Sequence, residues 1–138
     1  MLSEKQIKEQ LKQALNNWVN QKTLMDDEWT ALHLACKRDN QTFGYLINHL
    51  GADYLLNNKK GVSLMHKAAM DDNNYLLTYL RDKLKFKVSD KDVDGNTPLH
   101  YACYNNALWA GIRLIHFGHE LNVKNKSGDT PLHILLKS

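Results

Sequence analysis

Histidine and cysteine are the residues of this chain whose types and spacing first suggest chemistry. Four of its seven histidines recur in matched contexts: Thr30-Ala31-Leu32-His33, Ser63-Leu64-Met65-His66, Thr97-Pro98-Leu99-His100 and Thr130-Pro131-Leu132-His133. Imidazole is a common metal ligand, so evenly placed histidines raise the question of a metal site. Their spacings of 33, 34 and 33 residues point elsewhere. One histidine per period sets the four in a row along a stack, where they do not converge on a point. His116 and His119 can share a helix face, but they lack a third ligand nearby and Gly118 falls between them. Cys36 and Cys103 occupy the same position in their periods, each after an alanine, which reads as buried small hydrophobes. No glycine-rich phosphate loop, Cys-x-x-Cys pair or serine-nucleophile elbow is present. We therefore expect no catalytic, cofactor-binding or metal-binding residues, and no enzyme. Any catalysis would lie in another part of a longer parent protein.

The elements that carry these histidines follow from the residues around them. Thr or Ser three positions before each His can cap a helix by accepting a backbone N–H. Proline at the first helical position lacks only a donor that would have no partner there. The His itself can then tie helix to loop. Lys60-Gly61, Asp94-Gly95 and Ser127-Gly128 precede three of the motifs, where glycine suits the positive φ of a tight turn. Ala35-Cys36, Ala68-Ala69 and Ala102-Cys103 follow three of them and let two helices approach closely. Gly51-Ala52-Asp53 and Gly118-His119-Glu120 fit the end of a second helix. A T-P-L-H motif at a period of about 33 residues resembles the ankyrin repeat. That resemblance implies an all-α solenoid of stacked helix-turn-helix units joined by short hairpin loops.

Ahead of the first motif, residues 3–22 read as an amphipathic helix, with Ser3 as N-cap and Gln6 completing a capping box. Ile7, Leu11, Leu15 and Trp18 form one apolar stripe at helical spacing. It is expected to be a capping helix, spanning 1–24, that covers the first repeat. Repeats follow at 25–57, 58–91 and 92–124, and residues 125–138 begin a fourth. Two departures stand out. The second repeat has one extra residue and no terminal glycine between Arg81 and Lys87, so its second helix should end differently. The fourth stops inside its first helix, which would leave apolar surface of the third uncovered. The expectation is a fragment of a longer protein, or an end capped by something else.

With 43% hydrophobic and 24% charged residues, the 138-residue chain has a globular balance. No apolar run is long enough to span a bilayer, and the polar first twelve residues lack the apolar core of a secretory signal. Two cysteines make no disulfide framework, which suggests a reducing, cytoplasmic setting. The net charge of +3, with no dense Lys/Arg block, does not call for nucleic acid.

A protein or peptide partner, with no small-molecule substrate, is what the ankyrin resemblance implies. Partners of that family use the hairpin tips and the exposed face of the first helices. Carried onto this sequence, those positions are Asp26, Asp27, Trp29, Lys37 and Arg38 in the first repeat. In the second they are Lys59, Lys60, Val62, Met70 and Asp71. In the third they are Val93, Asp94, Asn96, Tyr104 and Asn105, and in the fourth Lys126, Ser127 and Asp129. Trp29, Val62, Met70 and Tyr104 are the candidate anchors. Trp29 could instead pack on the N-terminal helix, and Met70 and Tyr104, one period apart, could stack on each other.

The stretch from Gly61 onward also resembles the ankyrin segments that precede the membrane domain of DHHC-type palmitoyltransferases. Leu64-Met65-His66-Lys67-Ala68-Ala69, Asp92-Val93-Asp94-Gly95-Asn96-Thr97-Pro98-Leu99-His100-Tyr101-Ala102-Cys103 and Gly128-Asp129-Thr130-Pro131-Leu132-His133, leading to Lys137-Ser138, carry that likeness. It implies a domain that recruits protein substrates for S-acylation. The Asp-His-His-Cys motif itself is absent. Three functional readings follow: an interaction module using its concave face, an architectural subunit of a larger assembly, and association with anionic partners through Lys83, Lys85, Lys87 and Lys91.

Overall fold

A computed structural model describes residues 1–23, 28–37 and 40–137. Among them are eight helices and no strand. The helices are α1 (Glu4–Val19), α2 (Ala31–Ala35), α3 (Asn40–Leu50), α4 (Leu64–Met70), α5 (Asn74–Asp82), α6 (Pro98–Tyr104), α7 (Leu108–His116) and α8 (Pro131–Lys137). Three hairpins pair α2 with α3, α4 with α5 and α6 with α7. The first helices stack in an inner row, α2 on α4, α4 on α6 and α6 on α8. In the outer row α1 lies against α3 and α5 against α7. The core is the seam between the rows. Leu32, Phe43, Leu64, Met65, Leu76, Leu77, Leu80, Leu99 and Leu114 are buried there, and Ala68, Ala69, Ala102 and Ala110 allow the close approach.

Each inner helix starts as its sequence predicts. The hydroxyls of Thr30, Ser63, Thr97 and Thr130 accept the backbone N–H of His33, His66, His100 and His133. Each histidine returns the favour, its Nδ1 accepting the backbone N–H of the capping residue. The turns before these helices depend on three residues that the motif did not flag. Oδ1 of Asn58 accepts from the amides of Lys60 and Val62, Oδ1 of Asp92 from Asp94 and Asn96, and Oδ1 of Asn125 from Ser127 and Asp129. Adjacent turns are joined as well, Val93 N–H to Lys60 C=O and Lys126 N–H to Asp94 C=O, both at 2.9 Å. Gly95, at φ 77°, holds a backbone conformation that favours glycine, and a side chain would fit tightly in that contact. A Cβ there would sit 3.2 Å from the Asn125 Cα.

The second repeat does end its outer helix differently. At the ends of α3 and α7, Gly51 and Gly118 take φ values of 69° and 84°. After α5 it is Lys85 that adopts the left-handed conformation, at φ 61°. The amide of Phe86 then reaches back to the Leu80 carbonyl at 2.9 Å, as that of Ala52 reaches Leu46 at 3.0 Å. The hydrogen-bond pattern of a helix stop survives without its glycine.

The N-terminal helix forms with its capping box, Ser3 with Gln6, and lies against α3 of the first repeat, but its apolar stripe is not buried there. Only Val19 of α1 is buried. Ile7, Leu11, Leu15 and Trp18 remain 46, 60, 44 and 62% exposed. The helix is held through its C-terminal end, where the side chain of Asn20 bonds the Gly51 carbonyl and the Asp53 amide. The side chains of residues 1–15 are exposed.

Candidate partner-binding surface

The histidines sit at the base of the inner row. Nε2 of His33 lies 3.0 Å from the Val62 carbonyl, that of His66 3.0 Å from Asn96, and that of His100 2.9 Å from Asp129. A carbonyl only accepts, so Nε2 carries the proton and Nδ1 is left to accept. Each ring thus bridges its own helix cap to the turn of the following repeat. Burial pushes the His33 ring down to about 4 and lowers His66 and His100 as well, all toward the neutral form that this bridge requires. Both ring nitrogens are thus spent, Nδ1 on the ring's own helix cap and Nε2 on the next turn, and the rings stand one per repeat.

Cys36 is fully buried, its Sγ against the Leu32 carbonyl, and Cys103 is half-buried. Desolvation raises both thiols, which disfavours the nucleophilic thiolate.

Of the surface residues named from the sequence, the structure gathers some and removes others. Lys37, Met70, Asp71 and Asn105 line one groove of about 500 Å³, together with Asp72, Asn106 and Ala107. It runs across the C-terminal ends of α2, α4 and α6. Asn96 and Tyr104 border a second, of about 630 Å³, shared with Asn125, Asp129, Ile134 and Lys137. Tyr104 is 72% exposed and Met70 half-buried. Lys60 and Asp94 are exposed on the turns. Arg38, Asp26 and Asp27 lie outside the described residues.

Two of the candidate anchors turn inward. Val62 is only 2% exposed, because its turn folds its side chain under the cap of α4. It belongs to the core rather than to a partner surface. Trp29 is half-buried, its ring 5.1 Å from that of His33 and 5.4 Å beneath the Lys67 ammonium. It packs on the start of the inner row, and the N-terminal helix is not among these contacts. Asp71 keeps its place at the groove, but its side chain is 1% exposed and bound to Lys67, Nζ to oxygen 2.9 and 3.0 Å. Lys67 was missed by sequence reasoning. The signal for it was an i,i+4 Lys–Asp pair in a helix otherwise buried along its length. The lysines at 83, 85, 87 and 91 are exposed on the segment after α5. Lys85 and Lys87 border a separate groove beside Leu55 and Phe86.

This inner row of capped helices, bridged by histidines and fronted by linked turns, has counterparts among known proteins. A family model described as ankyrin repeats (3 copies) matches residues 2–83, and another, ankyrin repeats (many copies), matches 85–135. The chain belongs to the ankyrin-repeat family. Such repeats are in general non-catalytic modules that bind proteins. The similar proteins include AVO2, a target of rapamycin complex 2 subunit of Saccharomyces cerevisiae, 30% identical over 119 residues. That match takes in 83% of this chain and 28% of AVO2. An inhibitor of apoptosis, OPG037, of Monkeypox virus is 32% identical over 116 residues, 83% of this chain and 26% of the viral protein. The palmitoyltransferase AKR1 of Lachancea kluyveri is 32% identical over 95 residues, 64% of this chain and 12% of the enzyme. The chain thus spans about a quarter of the length of the first two relatives. Among the described residues, no helix is long and apolar enough to cross a membrane.

Proposed function

We propose that this ankyrin domain holds a protein or peptide partner on its concave face, across the two grooves that open along α2, α4, α6 and α8. The observation that carries this reading is Tyr104. It is a large aromatic side chain, 72% exposed, on a face that a purely structural role would leave polar. Around it stand Lys37, Met70, Asp71, Asn96 and Asn105, with Ile134 and Lys137 adding an apolar floor and a charge that the sequence had not singled out. Lys60 and Asp94 on the turns form the rim in this reading, and Trp29 contributes by holding Lys67 rather than by touching the partner. The units doing this work are repeats at 25–57, 58–91 and 92–124, the start of a fourth at 125–138, and a leading helix over 1–24. The setting we infer is cytoplasmic, and the chain itself is not an enzyme.

The test is capture of partners from the source cell, followed by titration of the captured partner against the native chain and a Met70→Ala/Tyr104→Ala variant. Loss of an exposed aromatic anchor should weaken binding by about tenfold or more, with the thermal melt unchanged. A partner held at full strength by the variant would move the interaction off the concave face.

The role of AVO2 as a subunit of target of rapamycin complex 2 favours a second reading, an architectural part of a larger assembly. The AKR1 relative supports a narrower version of the first, a domain that recruits protein substrates for a palmitoyltransferase. A captured partner that is S-acylated in the source cell would select that version.

A further inference from the structure

One internal segment departs from the pattern that the other repeats share. Gly51 and Gly118 stop the outer helices α3 and α7, and an acidic residue stands two positions later, Asp53 and Glu120. At the same two positions after α5 the chain has Lys85 and Lys87. Lys85 holds the left-handed backbone, at φ 61°, that glycine would adopt without strain. The lysine is therefore not what the helix stop itself requires. Residues 83–91 carry four lysines and one aspartate, a net charge of +3 that equals that of the whole chain. The rest of the chain is balanced, so the positive charge is gathered here.

The fold turns these lysines outward beside an apolar recess. Leu84, Phe86 and Val88 pack against the core, while the alternate residues Lys83, Lys85 and Lys87 are exposed. Lys85 and Lys87 border a groove of about 300 Å³ whose apolar lining is Leu55, Leu84 and Phe86. Leu55 is 70% exposed, and the Phe86 ring is held 6.2 Å from that of Tyr54. Among the described residues, neither Lys85 nor Lys87 takes part in an ion pair. The groove opens between the loops that follow α3 and α5, beside Ser63 at the start of α4. Met70 and Asp71 mark the other end of that helix, so this surface is separate from the concave one.

We propose that this groove binds an acidic peptide segment of a partner protein, with one large apolar side chain over Leu55 and Phe86 and flanking carboxylates against Lys85 and Lys87. Complementary charge steers such a segment in and fixes its register, while the apolar side chain supplies the anchor. Asp90 lies in the same lining and excludes carboxylates from its own side, which sharpens that register. A nucleic acid would favour an unbroken row of cations with open aromatic faces for its bases. Here Asp90 interrupts the row, and Tyr54 and Phe86 are half-buried. A flat membrane surface would leave the recess unfilled.

Fluorescence anisotropy of the 138-residue chain tests this with a labelled peptide whose central leucine is flanked on both sides by glutamates, and with its serine-centred counterpart. The native chain should bind the leucine peptide about tenfold more tightly than the serine one. Lys85→Glu/Lys87→Glu should weaken the leucine peptide by about tenfold or more, and Leu55→Ser should remove the preference for leucine. Lys5→Glu/Lys12→Glu makes the same change of net charge on exposed positions of α1 and should bind as the native chain does. Met70→Ala/Tyr104→Ala should also keep the peptide, which separates this site from the concave face. Every variant is compared at native circular dichroism and melt. A native chain that does not bind the leucine peptide, or that binds both peptides equally, would overturn the proposal. So would an equal loss in the α1 variant, a loss in the concave-face variant, or tighter binding of an oligothymidylate or of phosphatidylserine vesicles than of the leucine peptide.

Discussion

At the scale of the residue, the histidines of the motif tie neighbouring repeats together through neutral rings. An imidazolium carries a proton on both nitrogens, so Nδ1 of His33 could no longer accept from Thr30. The folded state holds this ring down to about 4, while an unfolded chain would titrate it near 6.5. The unfolded state therefore binds the extra proton first, and stability falls as the pH drops through that interval. The contribution of His33 is fully present above pH 6.5 and gone below about 4, and it amounts to about 3 kcal/mol. His66 and His100 are shifted in the same direction by the same cause. Urea melts at pH 7, 6, 5 and 4 should show a falling midpoint across this window. In a His33→Gln variant the fall should be smaller, with lower stability at pH 7 because the bridge to Val62 is changed. A pH profile identical to that of the native chain would remove His33 from this role.

At the scale of the element, the helices begin by one rule and end by two. The hydroxyl–histidine caps start all four inner helices in the same way. Outer helices stop at glycine in α3 and α7 but at Lys85 after α5. A left-handed conformation costs a residue with a side chain roughly 1–2 kcal/mol, and glycine returns part of that through its greater freedom in the unfolded chain. Lys85→Gly should therefore stabilise the domain by about 0.5–1 kcal/mol, read as a higher urea midpoint with an unchanged slope. Lys85→Ala removes the same lysine but keeps the strain, so it separates backbone conformation from charge. Stabilisation of equal size in both variants would attribute the gain to the lost charge instead.

At the scale of the whole molecule, a stack whose units touch only their neighbours is stable in proportion to the neighbours each has. α4 and α6 are flanked on both sides, whereas among the described residues α1 packs chiefly on α3 and α8 chiefly on α6. Amide exchange in dilute solution should be slowest in α4, α5 and α6 and fastest in α1 and α8. Uniform protection along the chain would mean that the ends are covered in solution.

The amino-acid sequence by itself determined the period, the caps, the turn glycines and so the helical solenoid. These features rest on short, local spacings: three residues from Thr or Ser to His, two from turn glycine to cap, and about 33 from one motif to the next. It also held a signal that went unread, the Asn58, Asp92 and Asn125 series three residues before each turn glycine. Only the tertiary structure decided which residues face a partner. Val62 and Met70 are both apolar residues near a motif, yet one lies under a cap and the other borders a groove. Lys67 and Asp71 are both charged, and both are withdrawn into a buried pair, with the Lys67 ammonium over the Trp29 ring. The apolar stripe of α1 reads as core, yet its four side chains are 44 to 62% exposed. Exposure depends on what packs alongside an element, and neighbours some 33 residues away set that by their lateral offset, which no local spacing encodes.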